Sequence, residues 1–94
     1  MAEEKVNYLI IDTREPSEFA RSHVEGAINV SSMEFMSGGV PAKLKEVDKD
    51  QPIILYCLSG QRSNTCAMLL KQYGFTHLTN GINESQTRRL LSRT

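Results

Sequence analysis

One stretch in the middle of the chain, Ile53-Ile54-Leu55-Tyr56-Cys57-Leu58-Ser59-Gly60-Gln61-Arg62-Ser63, restricts the architecture more than any other. An apolar run leads without a break up to the cysteine, the pattern of a strand covered on both faces. Past the loop, Ala67, Leu69, Leu70 and Tyr73 recur at helical spacing between Asn64 and Tyr73, and Gly74 supplies a stop. A buried strand, a tight loop and a helix in that order point to an α/β fold with parallel strands joined by right-handed crossovers.

The rest of the chain repeats the alternation. Asn7 to Asp12 reads as a first strand around Tyr8-Leu9-Ile10-Ile11. Glu15-Pro16 then opens a helix ending near His23, with Phe19 and Ala20 facing inward. Val24-Glu25-Gly26 turns the chain into a short second strand, Ala27 to Val30. Ser31 to Val40 is connective, with Met33, Phe35 and Met36 expected in one packed turn, and a helix is expected over Pro41 to Val47. Lys49-Asp50-Gln51-Pro52 leads into the cysteine-bearing third strand. A fourth strand is expected at Phe75 to Thr79, a turn at Asn80-Gly81 and a closing polar helix over Glu84 to Ser92, with Leu90 and Leu91 inward. No repeat or linker divides the sequence, so residues 1–94 read as one domain.

The loop after the third strand carries the chemistry. Its backbone N–H groups lead into a helix N-terminus, a concave row of donors that favours an anion such as a thiolate. Gly60 can take a positive φ and let the backbone curl around the sulfur of Cys57. Arg62 adds positive charge on the far side, and Ser59 and Ser63 add hydroxyls. Each lowers a thiol pKa, and the thiolate is the nucleophile. A buried core cysteine is the commoner fate of a lone Cys, but the Gly, Arg and Ser neighbours argue against it here. Cysteine phosphatases cradle a tetrahedral phosphate in a loop one residue longer. The shorter ring between Cys57 and Arg62 suits one extra sulfur atom better.

The segment Cys57-Leu58-Ser59-Gly60-Gln61-Arg62-Ser63 resembles the active-site loop of the rhodanese family. Leu9-Ile10-Ile11-Asp12-Thr13-Arg14-Glu15-Pro16-Ser17-Glu18-Phe19 is similar to that family's first signature, and His23-Val24-Glu25-Gly26-Ala27-Ile28-Asn29-Val30 to its second. The resemblance covers most of the chain. It implies a parallel sheet of four to five strands in the order 4-3-1-2 with helices on both faces, strands 1 and 3 adjoining where the winding reverses. It further implies a sulfurtransferase in which Cys57 accepts a sulfane sulfur as a persulfide and passes it to an acceptor. Arg62 would then be catalytic beside Cys57, Leu58, Ser59, Gly60, Gln61 and Ser63 would bind the sulfur, and Asp12 and Arg14 would support the loop. Thiosulfate or a protein persulfide would be donor, and cyanide, a thiol or a protein the acceptor. Two departures stand out. The chain begins almost at its first strand, as in a minimal single-domain member. The family's usual Gly-Gly and tryptophan after the last strand are replaced by Asn80-Gly81-Ile82-Asn83-Glu84.

Rival readings are a non-catalytic binding or sulfur-carrier module, and a small cysteine phosphatase or arsenate reductase. Inactive members commonly lose the cysteine, which this chain keeps. Eleven basic and eleven acidic residues cancel, so no overall field recruits nucleic acid or an anionic membrane. No apolar run has the length of a bilayer span, and the charged Met1 to Lys5 is unlike a secretory signal. A cytoplasmic monomer with two free thiols is expected, Cys66 serving as core filling. Asp12 either orients the loop or Arg62, or simply closes a strand; Arg14 and Glu18, four apart, are spaced to pair. His23 and His77 read as structural, no Cys–His spacing suggests a metal, and no cofactor is expected.

Overall fold

The computed structural model describes residues 6–93; the charged opening Met1–Lys5 lies outside them. The strands β1 (Leu9–Asp12), β2 (Ile28–Asn29), β3 (Ile53–Tyr56) and β4 (Leu78–Ile82) form one parallel sheet in the order β2-β1-β3-β4. This is the expected order read from the other edge. Between and after the strands come the helices α1 (Pro16–Arg21), α2 (Ser32–Met36), α3 (Gln61–Gln72) and α4 (Glu84–Leu91).

The alternation of strand side chains splits the core into two layers. Ile11, Ile53 and Leu55 point to one face and pack with Val30, Phe35, Leu44, Cys66, Leu70 and Phe75, under α2 and α3. Ile10 and Tyr56 point to the other and pack with Val24, Ala27 and Leu91, under α4. Tyr56 is fully buried, and its hydroxyl oxygen accepts from the Val24 N–H at 3.0 Å. Desolvation pushes that phenol up to about 12.

β1 and β3 lie side by side in register, Asp12 opposite Tyr56. From β1 the chain crosses towards β2, and from β3 it crosses the other way towards β4. The ends of these two strands are therefore the place where a doubly wound sheet opens a crevice. Thr13 ties the two loops there, its N–H and its hydroxyl both donating to the Tyr56 carbonyl at 2.9 and 3.0 Å.

Several local expectations need correction. The fourth strand lies three residues later than its sequence pattern suggested. Phe75 instead belongs to the end of α3: Gly74 takes φ +100°, its N–H donates to Lys71 O, and the Phe75 N–H donates to Leu70 O. That is a Schellman cap, with Phe75 as its apolar contact. Asn80 and Gly81, expected in a turn, are strand residues. At Gly81 an added Cβ would sit 2.1 Å from Thr87 Oγ1, so a close approach of α4 rather than a bend demands glycine. The expected helix over Pro41–Val47 shrinks to one 3-10 turn, Ala42–Leu44, in a charged stretch where only Pro41 and Leu44 are buried. Ala20 is exposed, and of the packed turn around Met33 only Phe35 is buried; Met33 and Met36 face outward.

Candidate active site

Cys57 follows the last residue of β3 and is almost wholly buried. Its N–H donates to the Ile82 carbonyl at 3.1 Å, which anchors the start of the loop to β4. Gly60, at φ +93°, turns the chain back into α3, so that its N–H donates to Cys57 Sγ at 3.1 Å. The Ser63 N–H, in the first turn of α3, reaches the same sulfur at 3.4 Å, and the Ser63 hydroxyl oxygen also lies 3.4 Å from it. Burial alone would raise the thiol pKa. The Ser63 hydroxyl, when it donates to the ionised sulfur, and the amides of Ser63, Ser59 and Gly60 outweigh it and hold Cys57 below the ordinary thiol value. Leu58, Ser59 and Gln61 are exposed at the rim.

Arg62 does not turn to the sulfur. Its guanidinium forms a two-pronged pair with Glu18 of α1, at 3.0 and 3.3 Å, both groups being partly exposed. The Arg62 hydrogen bond lowers the Glu18 carboxyl below the usual range, and the Glu18 bond raises Arg62 in turn. The expected Arg14–Glu18 pair is therefore absent. Arg14 is buried against Asp12, Nη2 to Oδ2 at 2.6 Å, and also donates to the Ser22 carbonyl at 2.6 Å and to Glu84 at 3.3 Å. Its hydrogen bond to Asp12 raises the Arg14 pKa further. Asp12 thus holds Arg14, not Arg62, and the pair fastens the β1 loop to the end of α1 and the start of α4. Among the described residues no group of three or more His, Cys, Asp or Glu is placed to hold a metal.

A profile of the Rhodanese-like domain matches residues 1–87. The chain belongs to the rhodanese-like domain family. Thiosulfate sulfurtransferase PspE of Escherichia coli is 33% identical over 73 residues, covering 74% of this chain and 64% of that protein. The uncharacterized protein YqhL of Bacillus subtilis is 34% identical over 71 residues, covering 76% of this chain and 52% of the relative. The chain thus spans between half and two thirds of the length of these relatives. Among solved structures, a rhodanese with anions from E. coli superposes with a TM-score of 0.73 at 28% identity, covering 85% of this chain and 91% of that one.

Within this rhodanese-like site, sequence reasoning brought Cys57, Gly60 and Ser63 together and missed two side chains. Glu18, spaced to pair with Arg14, meets Arg62 instead, since helical spacing cannot reveal a contact with a residue 44 positions away. Asn80, in a pattern that suggests a turn, is the second. On β4 it instead reaches under the loop, where its Nδ2 donates to Gly60 O at 3.0 Å and its Oδ1 accepts from the Ser63 hydroxyl at 2.7 Å. A polar side chain beside a glycine at a strand's end was the available signal. His23 is structural, stacked on Phe19 with Nδ1 2.8 Å from Phe19 O, and His77 is exposed just before β4. No helix among the described residues is long and apolar enough to cross a membrane.

Proposed function

We propose that the chain is a sulfurtransferase working through a persulfide on Cys57. The observation that carries this reading is a single buried sulfur receiving N–H groups from Gly60 and Ser63 at the start of α3. In the first half-reaction the Cys57 thiolate attacks the outer sulfur of a donor. With thiosulfate the donor S–S bond breaks, its electron pair leaves with sulfite, and Cys57 retains the sulfur as a persulfide anion. In the second, a thiophilic acceptor such as cyanide, a thiol or a protein thiolate attacks the outer sulfur and the thiolate of Cys57 departs. Donors aimed at a developing negative charge, already in place, are what lower such barriers.

Loop amides from Leu58 to Ser63 act as the sulfur cradle in this proposal. Arg62 acts on the donor's charge once released from Glu18, and Asp12 and Arg14 brace the cradle from the β1 side. A persulfide donor, small or protein-borne, suits the site better than the doubly charged thiosulfate, because Arg62 is already matched by a carboxylate. We take residues 1–94 as one functional unit, acting as a monomer in a reducing compartment such as the cytoplasm, where Cys57 and Cys66 persist as the free thiols of this structure.

Intact-mass measurement tests the reading. Incubation with thiosulfate or a persulfide should add one sulfur to the protein, and cyanide or a thiol should remove it. A chain that never gains sulfur from either donor, while its thiol stays alkylatable, is not a sulfurtransferase.

A further inference from the structure

We propose that Asn80 is a positioning residue for the reactive sulfur, because it holds the Ser63 hydroxyl proton away from Cys57 and so sets which charge state of the sulfur the loop favours. This rests on the reading of Cys57 as the sulfur-accepting group. Asn80 sits on β4, and its carboxamide can take only one orientation. Its Oδ1 accepts from the Ile82 N–H at 3.0 Å, and its Nδ2 donates to the Gly60 carbonyl at 3.0 Å. Both partners are backbone groups with a fixed role, one able only to donate and the other only to accept. The atom facing Ser63 is therefore an acceptor, and the Ser63 hydroxyl donates to it at 2.7 Å.

A hydroxyl has one proton to give. Committed to Asn80, it leaves Ser63 Oγ with only lone pairs for Cys57 Sγ, 3.4 Å away. That arrangement matches a thiol, whose S–H can donate to Ser63. A thiolate needs the opposite: the hydroxyl must swing from Asn80 to the sulfur, leaving Asn80 Oδ1 with the Ile82 N–H alone. When Cys57 carries a persulfide, the negative charge moves to the outer sulfur and the inner one becomes neutral. The hydroxyl can then return to Asn80, so Ser63 reorients once in each half of the cycle.

The other charged or titratable groups bearing on Cys57 are Arg62 of α3, tied to Glu18 of α1, and the Cys66 thiol of α3. None of the three is hydrogen-bonded to Asn80, so an effect of Asn80 on Cys57 passes through Ser63 or through the backbone groups it holds, the Gly60 carbonyl and Ile82, whose carbonyl accepts from the Cys57 N–H. The side-chain and backbone routes have opposite signs. Losing the struts to Gly60 and Ile82 loosens the loop whose amides bind the sulfur and raises the thiol pKa. Freeing the Ser63 proton lowers it.

The experiment measures iodoacetamide alkylation of Cys57 against pH in the full chain, with peptide mapping to exclude Cys66. Asn80→Leu keeps the branched shape without the acceptor, and Asn80→Ala serves as a second variant should the larger side chain disturb β4. Each should move the inflection down by about one pH unit, since a hydrogen bond to a charged group has that scale. Ser63→Ala should move it up, and adding an Asn80 substitution to Ser63→Ala should produce no downward shift. An inflection that stays or rises in the Asn80 variants, or falls equally without the Ser63 hydroxyl, overturns the proposal. Alkylation needs no sulfur donor, so this result is separable from the loading experiment that tests sulfur transfer itself.

Discussion

The Arg62 guanidinium and the Glu18 carboxylate meet 3.0 Å apart, joining the first turn of α3 to α1 beside the cysteine loop. The cation that the loop sequence offers an anionic substrate is thus already matched by a carboxylate of the protein. Removing the carboxylate should release it. Glu18→Gln is expected to raise kcat/KM for thiosulfate roughly fivefold, the scale of a partly exposed ion pair of about 1 kcal/mol. A donor without the second negative charge should respond much less. Steady-state rates with both donors check this, and equal responses would remove Glu18 from substrate discrimination.

The two cysteines should titrate far apart. Cys57 alkylation should inflect below the roughly 8.5 of an ordinary thiol, because hydrogen bonds favour its ionised form. Its reactivity then rises with pH through that lowered value and is flat above it. Desolvation in the core pushes Cys66 up to about 12, so native protein should give one fast-reacting thiol near neutral pH and a second only on unfolding. Cys57→Ser should abolish sulfur loading. Cys66→Ala should retain it, with stability lowered by about 1–2 kcal/mol for the lost packing. Thiol counting by mass spectrometry distinguishes these outcomes.

Gly60 and Gly81 resist substitution for different reasons. At Gly60 an alanine must take φ +93° and bring its Cβ to 3.3 Å from Ile82 Cγ2, costing on the order of 1–2 kcal/mol and displacing an amide from the sulfur. At Gly81 the backbone angle is ordinary, but the Cβ would meet Thr87 Oγ1 at 2.1 Å and Ile54 Cγ2 at 2.8 Å. Overpacking of that kind costs roughly 1–3 kcal/mol or more. Denaturant unfolding should show the larger loss for Gly81→Ala, while Gly60→Ala should lose sulfur loading out of proportion to its stability.

Thr87 is a point where the fold can be improved. Its hydroxyl is buried and finds no hydrogen-bond partner among the described residues. Thr87→Val keeps the shape and removes the unpaired group, and should leave stability unchanged or raise it by about 1 kcal/mol. A fall of similar size in chemical denaturation would show that the hydroxyl has a partner, such as an ordered water.

Much of the fold was legible in the sequence because parallel strands buried on both faces leave unbroken apolar runs. Leu9–Ile11 and Ile53–Tyr56 read as such strands, and the helices between them imply parallel crossovers, whereas the order of the sheet followed from the family resemblance. The errors came where a residue's partner is remote. Phe75 looks like a strand residue until the Schellman cap of α3 claims it. Asn80-Gly81 looks like a turn because its justification lies elsewhere, in the loop above Asn80 and in Thr87 beside Gly81. Ile82 adds a case that sequence patterns could not show: a β-branched residue at φ +75°, with its N–H on Asn80 and its carbonyl on Cys57. At the site, the cradle around Cys57 was legible, but Glu18 pairs with Arg62 rather than with Arg14, and Asp12 with Arg14.

The burial of Cys66 bears on how long a cargo stays aboard. A second thiol within reach could attack a freshly loaded persulfide, close a disulfide and spill hydrogen sulfide. Cys66 shares α3 with Ser63 but faces the apolar layer, where its thiol scarcely ionises. On the proposed function, a loaded chain would therefore not discharge through Cys66. Its dwell time would then follow how often an outside acceptor arrives, so unloading should be first order in that acceptor and close to zero without it.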